Sequence, residues 1–134
     1  MRPDRLRRSS RGGDDGSSVV EAVLVVPVIM LVLLVVVQFA LWAHAAQVAQ
    51  LAASEGDRAA RSAGGGPAVG VLQAQAVLQG PGSDVESSSA VYATLPADQV
   101  QITVTGTSLT ILPGLSLPVS ATEIGPVQEF RGSE

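Results

Sequence analysis

Residues 21–43 read EAVLVVPVIMLVLLVVVQFALWA, and this stretch decides the architecture. From Ala22 to Ala43 there are 22 residues without a formal charge. As a helix they cover roughly 33 Å, enough to cross the hydrocarbon core of a bilayer. The centre, Val23–Val37, is Val, Leu, Ile and Met, broken only by Pro27. Pro27 removes a backbone donor and is expected to bend the helix or weaken its first turn. Gln38 is the first polar side chain after the run. Trp42 and His44 follow where an outer interface should lie, and Trp42 reads as an interface anchor, since tryptophan favours that depth. Glu21 stands at the other lip. A helix that only anchors does not need a carboxylate there, and charges kept at such positions usually have a task.

Outward from this span, charge is unevenly placed. Residues 1–16 hold five Arg and three Asp; residues 17–134 hold three Arg and nine acids. The net is thus +2 before the span and −6 after it, and the positive-inside rule puts the N-terminus in the cytoplasm and the remainder outside. The acidic remainder argues against nucleic-acid binding. Two other readings of the N-terminus compete. Ala43-His44-Ala45 fits a small-x-small cleavage site for a secretory signal peptide, but the apolar stretch exceeds the usual h-region of ~7–15 residues. Arg7-Arg8 could open a twin-arginine signal, but nothing around that pair supports it.

Beyond the span the chain is expected to stay helical to Ala63. Gln47, Gln50, Ser54, Asp57 and Arg61 recur at intervals of three and four and form one polar stripe. Asp57 and Arg61 make an i,i+4 pair. Ala52, Gly56, Ala60 and Gly64 form a line of small residues. Gly56 costs ~1 kcal/mol relative to alanine in a helix interior. A closely packed neighbouring backbone would explain it; an accidental glycine in an Ala-rich helix is the alternative. Gly64-Gly65-Gly66-Pro67 ends the helix, Val69–Gln79 reads as a second short helix closed by Gly80-Pro81-Gly82, and Ser83–Ser89 reads as polar loop. Val100, Ile102 and Val104 alternate with Gln101, Thr103 and Thr105, the period of a strand. Ala90–Leu95 reads as a weaker strand and Leu117–Ile124 as another, with a turn at Pro113-Gly114. Two or three antiparallel strands result, and they need a helix to cover them.

Enzyme chemistry finds no support. The chain has no Cys and one His, so disulfides and thiolate metal sites are excluded. His44 reads as an interfacial polar residue rather than a base. The glycine clusters at 12–13 and 64–66 do not lie between a strand and a helix, as a phosphate loop requires. No cofactor, metal or small-molecule substrate is implied.

Gly16, with Glu21 as the fifth residue after it and the apolar run beyond, resembles a type IV prepilin processing site. In that family a membrane-embedded prepilin peptidase cuts after the glycine, which here would leave Ser17 as the new N-terminus. Asp14–Ser18 suits a peptidase as a segment that leaves the helix, because Asp, Gly and Ser favour turns and caps. The pattern is similar in more detail to the TadE-like pilus-assembly proteins, pseudopilins of the tight-adherence (Flp pilus) system. The matching residues are Gly16, Val20-Glu21, Ala22–Val26 and Pro27, then Ala53-Ser54-Glu55-Gly56-Asp57-Arg58-Ala59-Ala60. More loosely, Val100–Gly106, Leu117–Thr122 and Gly125-Pro126-Val127 look like the family's late strands. One departure is alanine after Glu21, where a bulkier residue is common.

The expected fold is therefore α+β. Residues 1–16 form a basic, cleavable leader, 17–63 a membrane-spanning helical stem, and 64–134 a small outer domain ending in a β-hairpin. The resemblance implies a structural or assembly component of an adhesive pilus or related secretion apparatus, in the bacterial cytoplasmic membrane. It implies the peptidase and other pilin stems as partners. Glu21 would set register between stems, and Pro27, Ala52, Gly56 and Ala60 would serve stem packing. The alternative is a single-pass envelope protein that presents a small binding domain without processing.

Overall fold

The computed structural model describes residues 14–95 and 99–126. The leader up to residue 13 and Val127 lie outside the described residues. Helix α1 runs Asp14–Arg61, α2 Pro67–Leu78, and three strands follow: β1 Val85–Leu95, β2 Gln99–Ser108 and β3 Pro118–Pro126. The chain divides into two compact units, Met1–Val35 and Val36–Glu134.

The first unit contains the N-terminal half of α1. From Val19 to Leu34 its large apolar side chains stand in the open, from Leu34 at 41% to Leu24 at 67% exposure, and Val35 at its end is half-buried. A helix of a water-soluble domain buries one face; this one buries none, as a lipid-facing helix does. The helix continues through Pro27. It also begins at Asp14, which corrects the expectation that Asp14–Ser18 leaves the helix. Asp and Ser are at home in a first turn, whose leading amides need no intrahelical acceptor.

The second unit is the α+β domain. Its sheet is an antiparallel meander in the order β1-β2-β3. The expected three-residue alternation holds along β2: Val100, Ile102 and Val104 are buried. In register, Ala90 lies opposite Val104 and Val104 opposite Ala121. β1 begins at Val85, five residues before the expected strand, so Ser83–Ser89 is corrected from loop to mostly strand. An irregularity between Glu86 and Ser89 absorbs the break in register, with Ser87 at φ 49°. A bulge of this kind lets a serine-rich stretch at a sheet edge pair without an apolar face. α2 starts at Pro67, because proline's fixed φ and missing amide suit the first helical turn. Pro113-Gly114 forms the expected turn. The Leu115 amide bonds the Leu112 carbonyl at 3.2 Å with Gly114 at φ 86°, the pattern of a type II turn.

The sheet packs on α2 and on the C-terminal half of α1. The core comprises Ala45, Ala49, Ala52, Ala53, Ala60, Ala74, Leu78, Ala90, Val100, Ile102, Val104 and Val119. Because most of these are alanines, backbones approach closely instead of being held apart by large side chains. At the tightest point, a Cβ on Gly56 would lie 2.9 Å from the Gly70 carbonyl oxygen and 3.2 Å from Ile102 Cγ2. A Cβ on Gly70 would lie 2.6 Å from the Gly56 oxygen. The close neighbour of Gly56 is thus α2 of its own chain. Ala52, Gly56 and Ala60, expected to serve stem packing, lie in the interior of this domain.

Candidate functional site

The segment around the expected processing position belongs to the first unit. The backbone of Gly16 and Ser17 lies within the first turns of α1. Glu21 is exposed one turn beyond Ser17. Pro27 lines a shallow apolar groove with Val19, Ala22, Val23 and Val26, on a face of α1. An exposed carboxylate beside an apolar groove can receive a cationic group carried on another apolar helix.

In the second unit, α1 carries a second set of functional side chains, all of which bond the outer domain. Gln38 is fully buried. Its amide donates to the Leu109 carbonyl at 3.1 Å, and its Oε1 accepts from the amides of Ile111 at 2.9 Å and Leu112 at 3.4 Å. The buried glutamine is therefore satisfied on both sides of its amide, as a buried polar group must be. One turn on, Trp42 Nε1 donates to the Pro118 carbonyl at 3.1 Å. His44 Nε2 lies 3.0 Å from the Gly82 carbonyl, which requires that nitrogen to carry the proton, and 3.9 Å from Asp84 Oδ2. Gln38, Trp42 and His44 thus bind the β2–β3 connection, the first residue of β3 and the α2–β1 connection to the same helix. Trp42 is 38% exposed. Gln38 was not singled out from the sequence. The available signal was that a lone glutamine closing a long apolar run needs partners, and only a distant segment could supply them.

At the far end of the stem, the segment Ala53–Ala60 assigns a place to each motif residue. Arg58 pairs with Glu55 at 3.2 Å on the surface. Gly56 meets α2. Asp57, a member of the polar stripe, is buried and holds Arg61 Nη2 at 2.8 Å. Gly125 of β3 closes over that pair; a side chain there would run into Asp57 Oδ1 and Arg61. The remaining stripe residues, Gln47, Gln50 and Ser54, line a polar groove of about 690 Å³ with Ser120, Ala121, Thr122 and Glu123 of β3. Among the described residues no cluster of His, Cys, Asp or Glu could hold a metal ion.

Among the described residues one helix is long and apolar enough to cross a membrane, and it runs on into an α+β domain, the make-up of a single-pass membrane protein. Residues 16–58 match the family described as TadE-like protein. The match opens on Gly16, takes in Glu21, and closes on Arg58, so over its first half the chain is similar to TadE-like proteins. No curated protein and no solved structure matches the chain.

Proposed function

We propose that the chain is a pseudopilin: a prepilin peptidase cuts it after Gly16 on the cytoplasmic side, its stem then associates with other pilin stems in the cytoplasmic membrane, and its α+β domain meets partners outside. The observation that carries this reading is that the family match opens on Gly16 and includes Glu21, the two residues that processing and stem register require. The charge step from +2 to −6 across the span supports the orientation.

The cut falls within the first turns of α1, so the peptidase must meet an unwound form. The leading amides of a helix lack intrahelical partners and the first turn frays readily. Intact mass of the protein from cells that carry the peptidase should show Ser17 as the first residue. Gly16→Leu should keep the Arg-rich leader attached. Wild-type protein that keeps residues 1–16 in those cells would sink the processing reading. It would favour the second one, an unprocessed envelope protein with a small binding domain, which the helical backbone at Asp14–Ser18 also suits. A start at Ala46 would point to secretion.

Glu21 supports the association step. An ionised carboxylate costs ~2.5–3.5 kcal/mol at the bilayer centre and less near the lip. After cleavage the α-amino group of Ser17 lies one helical turn away, in the same chain or on a neighbouring stem. Between stems, only one axial offset pairs the two charges. Glu21→Ala should insert and be cut as the wild type is, yet co-purify with partner stems about tenfold less, the weight of roughly 1.4 kcal/mol. Glu21→Asp should fall between. Full association by Glu21→Ala would reduce Glu21 to an interfacial residue without a role in register.

A further inference from the structure

The connection between β2 and β3, Leu109–Leu117, is apolar at its surface. Leu109, Ile111 and Leu115 are exposed at 37%, 45% and 39%, and the chain carries no charge from Gln99 to Thr122. Exposed aliphatic side chains in one loop of a small domain mark a contact surface. Its place along α1 identifies what it contacts. The loop backbone is bonded to Gln38 by three hydrogen bonds, so it lies level with that residue. A helix needs about twenty residues to cross the ~30 Å hydrocarbon core. Counted from Val19, the first apolar residue, that length ends at Gln38; counted from Ala22, it ends at Leu41. On either count the loop is at the membrane boundary or just inside it.

We infer that Leu109–Leu117 is a lipid-contacting loop that sets Ile111 and Leu115 into the headgroup–acyl boundary of the leaflet on the domain's side. Non-helical backbone survives at that depth only if its polar groups are satisfied internally, and here many are. The Ser108 amide bonds Leu117, the Leu109 amide bonds Asp84, and the Leu115 amide bonds Leu112. The Ile111 and Leu112 amides and the Leu109 carbonyl are taken by Gln38, the Pro118 carbonyl by Trp42, and Pro113 has no amide to satisfy. Trp42 beside the loop is the side chain most at home in this layer.

The inference rests on α1 crossing the membrane, and not on pilin processing. The chain lacks cysteine, so single cysteines can be placed at Ile111, Leu115, Leu33 and Ser62 in the full chain and labelled with an environment-sensitive fluorophore. The protein is then reconstituted into vesicles of phosphatidylethanolamine and phosphatidylglycerol. Labels at 111 and 115 should be quenched by a nitroxide attached high on the acyl chain, and several-fold less than the label at 62 by aqueous iodide. Iodide quenching at 111 and 115 equal to that at 62 would overturn the inference. So would a protected label that ignores the lipid nitroxide but varies with protein-to-lipid ratio, since another protein chain would then be the occupant. The Leu33 label reports the span separately: if a deep nitroxide does not reach it, the membrane reading itself has failed.

Discussion

Gly56→Leu is expected to destabilise the α+β domain of an isolated, detergent-solubilised chain, before any question of assembly arises. The new side chain begins 2.9 Å from the Gly70 carbonyl and 3.1 Å from Ala74 Cβ, and the obstacle is backbone on a second helix, which cannot turn aside as a flexible side chain can. Overpacking a core costs typically ~1–3 kcal/mol; four heavy atoms driven between two backbones belong at or above the top of that range. Leucine's better helix propensity returns only ~1 kcal/mol. Small domains hold only about 5–15 kcal/mol of stability, so a net loss of about 2 kcal/mol or more is a large share of it and lowers the unfolding midpoint. Trp42, the single tryptophan, bonds the first residue of β3 and so reports docking by its fluorescence in a urea titration. An unchanged midpoint for Gly56→Leu, together with defective association in membranes, would return Gly56 to a contact between stems.

Gln38→Leu is expected to release the β2–β3 connection while leaving α1 intact. Leucine nearly matches the volume, but the Leu109 carbonyl and the Ile111 and Leu112 amides lose their partner together. Each buried group left unsatisfied costs ~1–3 kcal/mol. The loop can relieve part of this by opening, so a net loss of about 2–4 kcal/mol is expected. Amide hydrogen exchange should rise sharply in the segment 109–117 and much less in β2. Retained protection at Ile111 and Leu112 would mean that the loop holds its own shape and that Gln38 is incidental.

These two positions differ in how far the sequence disclosed them. Gly56 was legible as a residue that either packs against a close neighbour or is accidental in an Ala-rich helix, since glycine costs helix stability there. The neighbour was not legible: a line of small residues four apart suits a second helix of the same chain as well as another stem. Gln38 read only as the end of an apolar run, since its partners lie more than seventy residues on and a backbone acceptor leaves no mark in side-chain identity. The same division holds for the fold. Period-two alternation announced β2, and Pro113-Gly114 announced the turn. β1 began earlier than expected because Glu86, Ser87, Ser88 and Ser89 carry no apolar alternation, and its pairing comes from β2 rather than from its own residues. Asp57 read as one member of a polar stripe; its burial follows from Gly125, a β3 residue whose approach to α1 no local pattern predicts.

The order of elements along the chain also sets an order in time. The alanine face of α1 is synthesised, and on the proposed topology carried across the membrane, before any strand that covers it exists. α2 follows soon after, and its Gly70 can settle against Gly56 as a first local contact of low loop-closure cost. Ile102, at the centre of the core, arrives much later and sits in a strand that needs both neighbours. Until β3 emerges, the uncharged run from Gln99 onward has an open edge of the kind that pairs with other chains. On that topology β2 reaches the far side before the strand that closes its open edge, and β3 decides whether that edge is sealed within one molecule or shared between two.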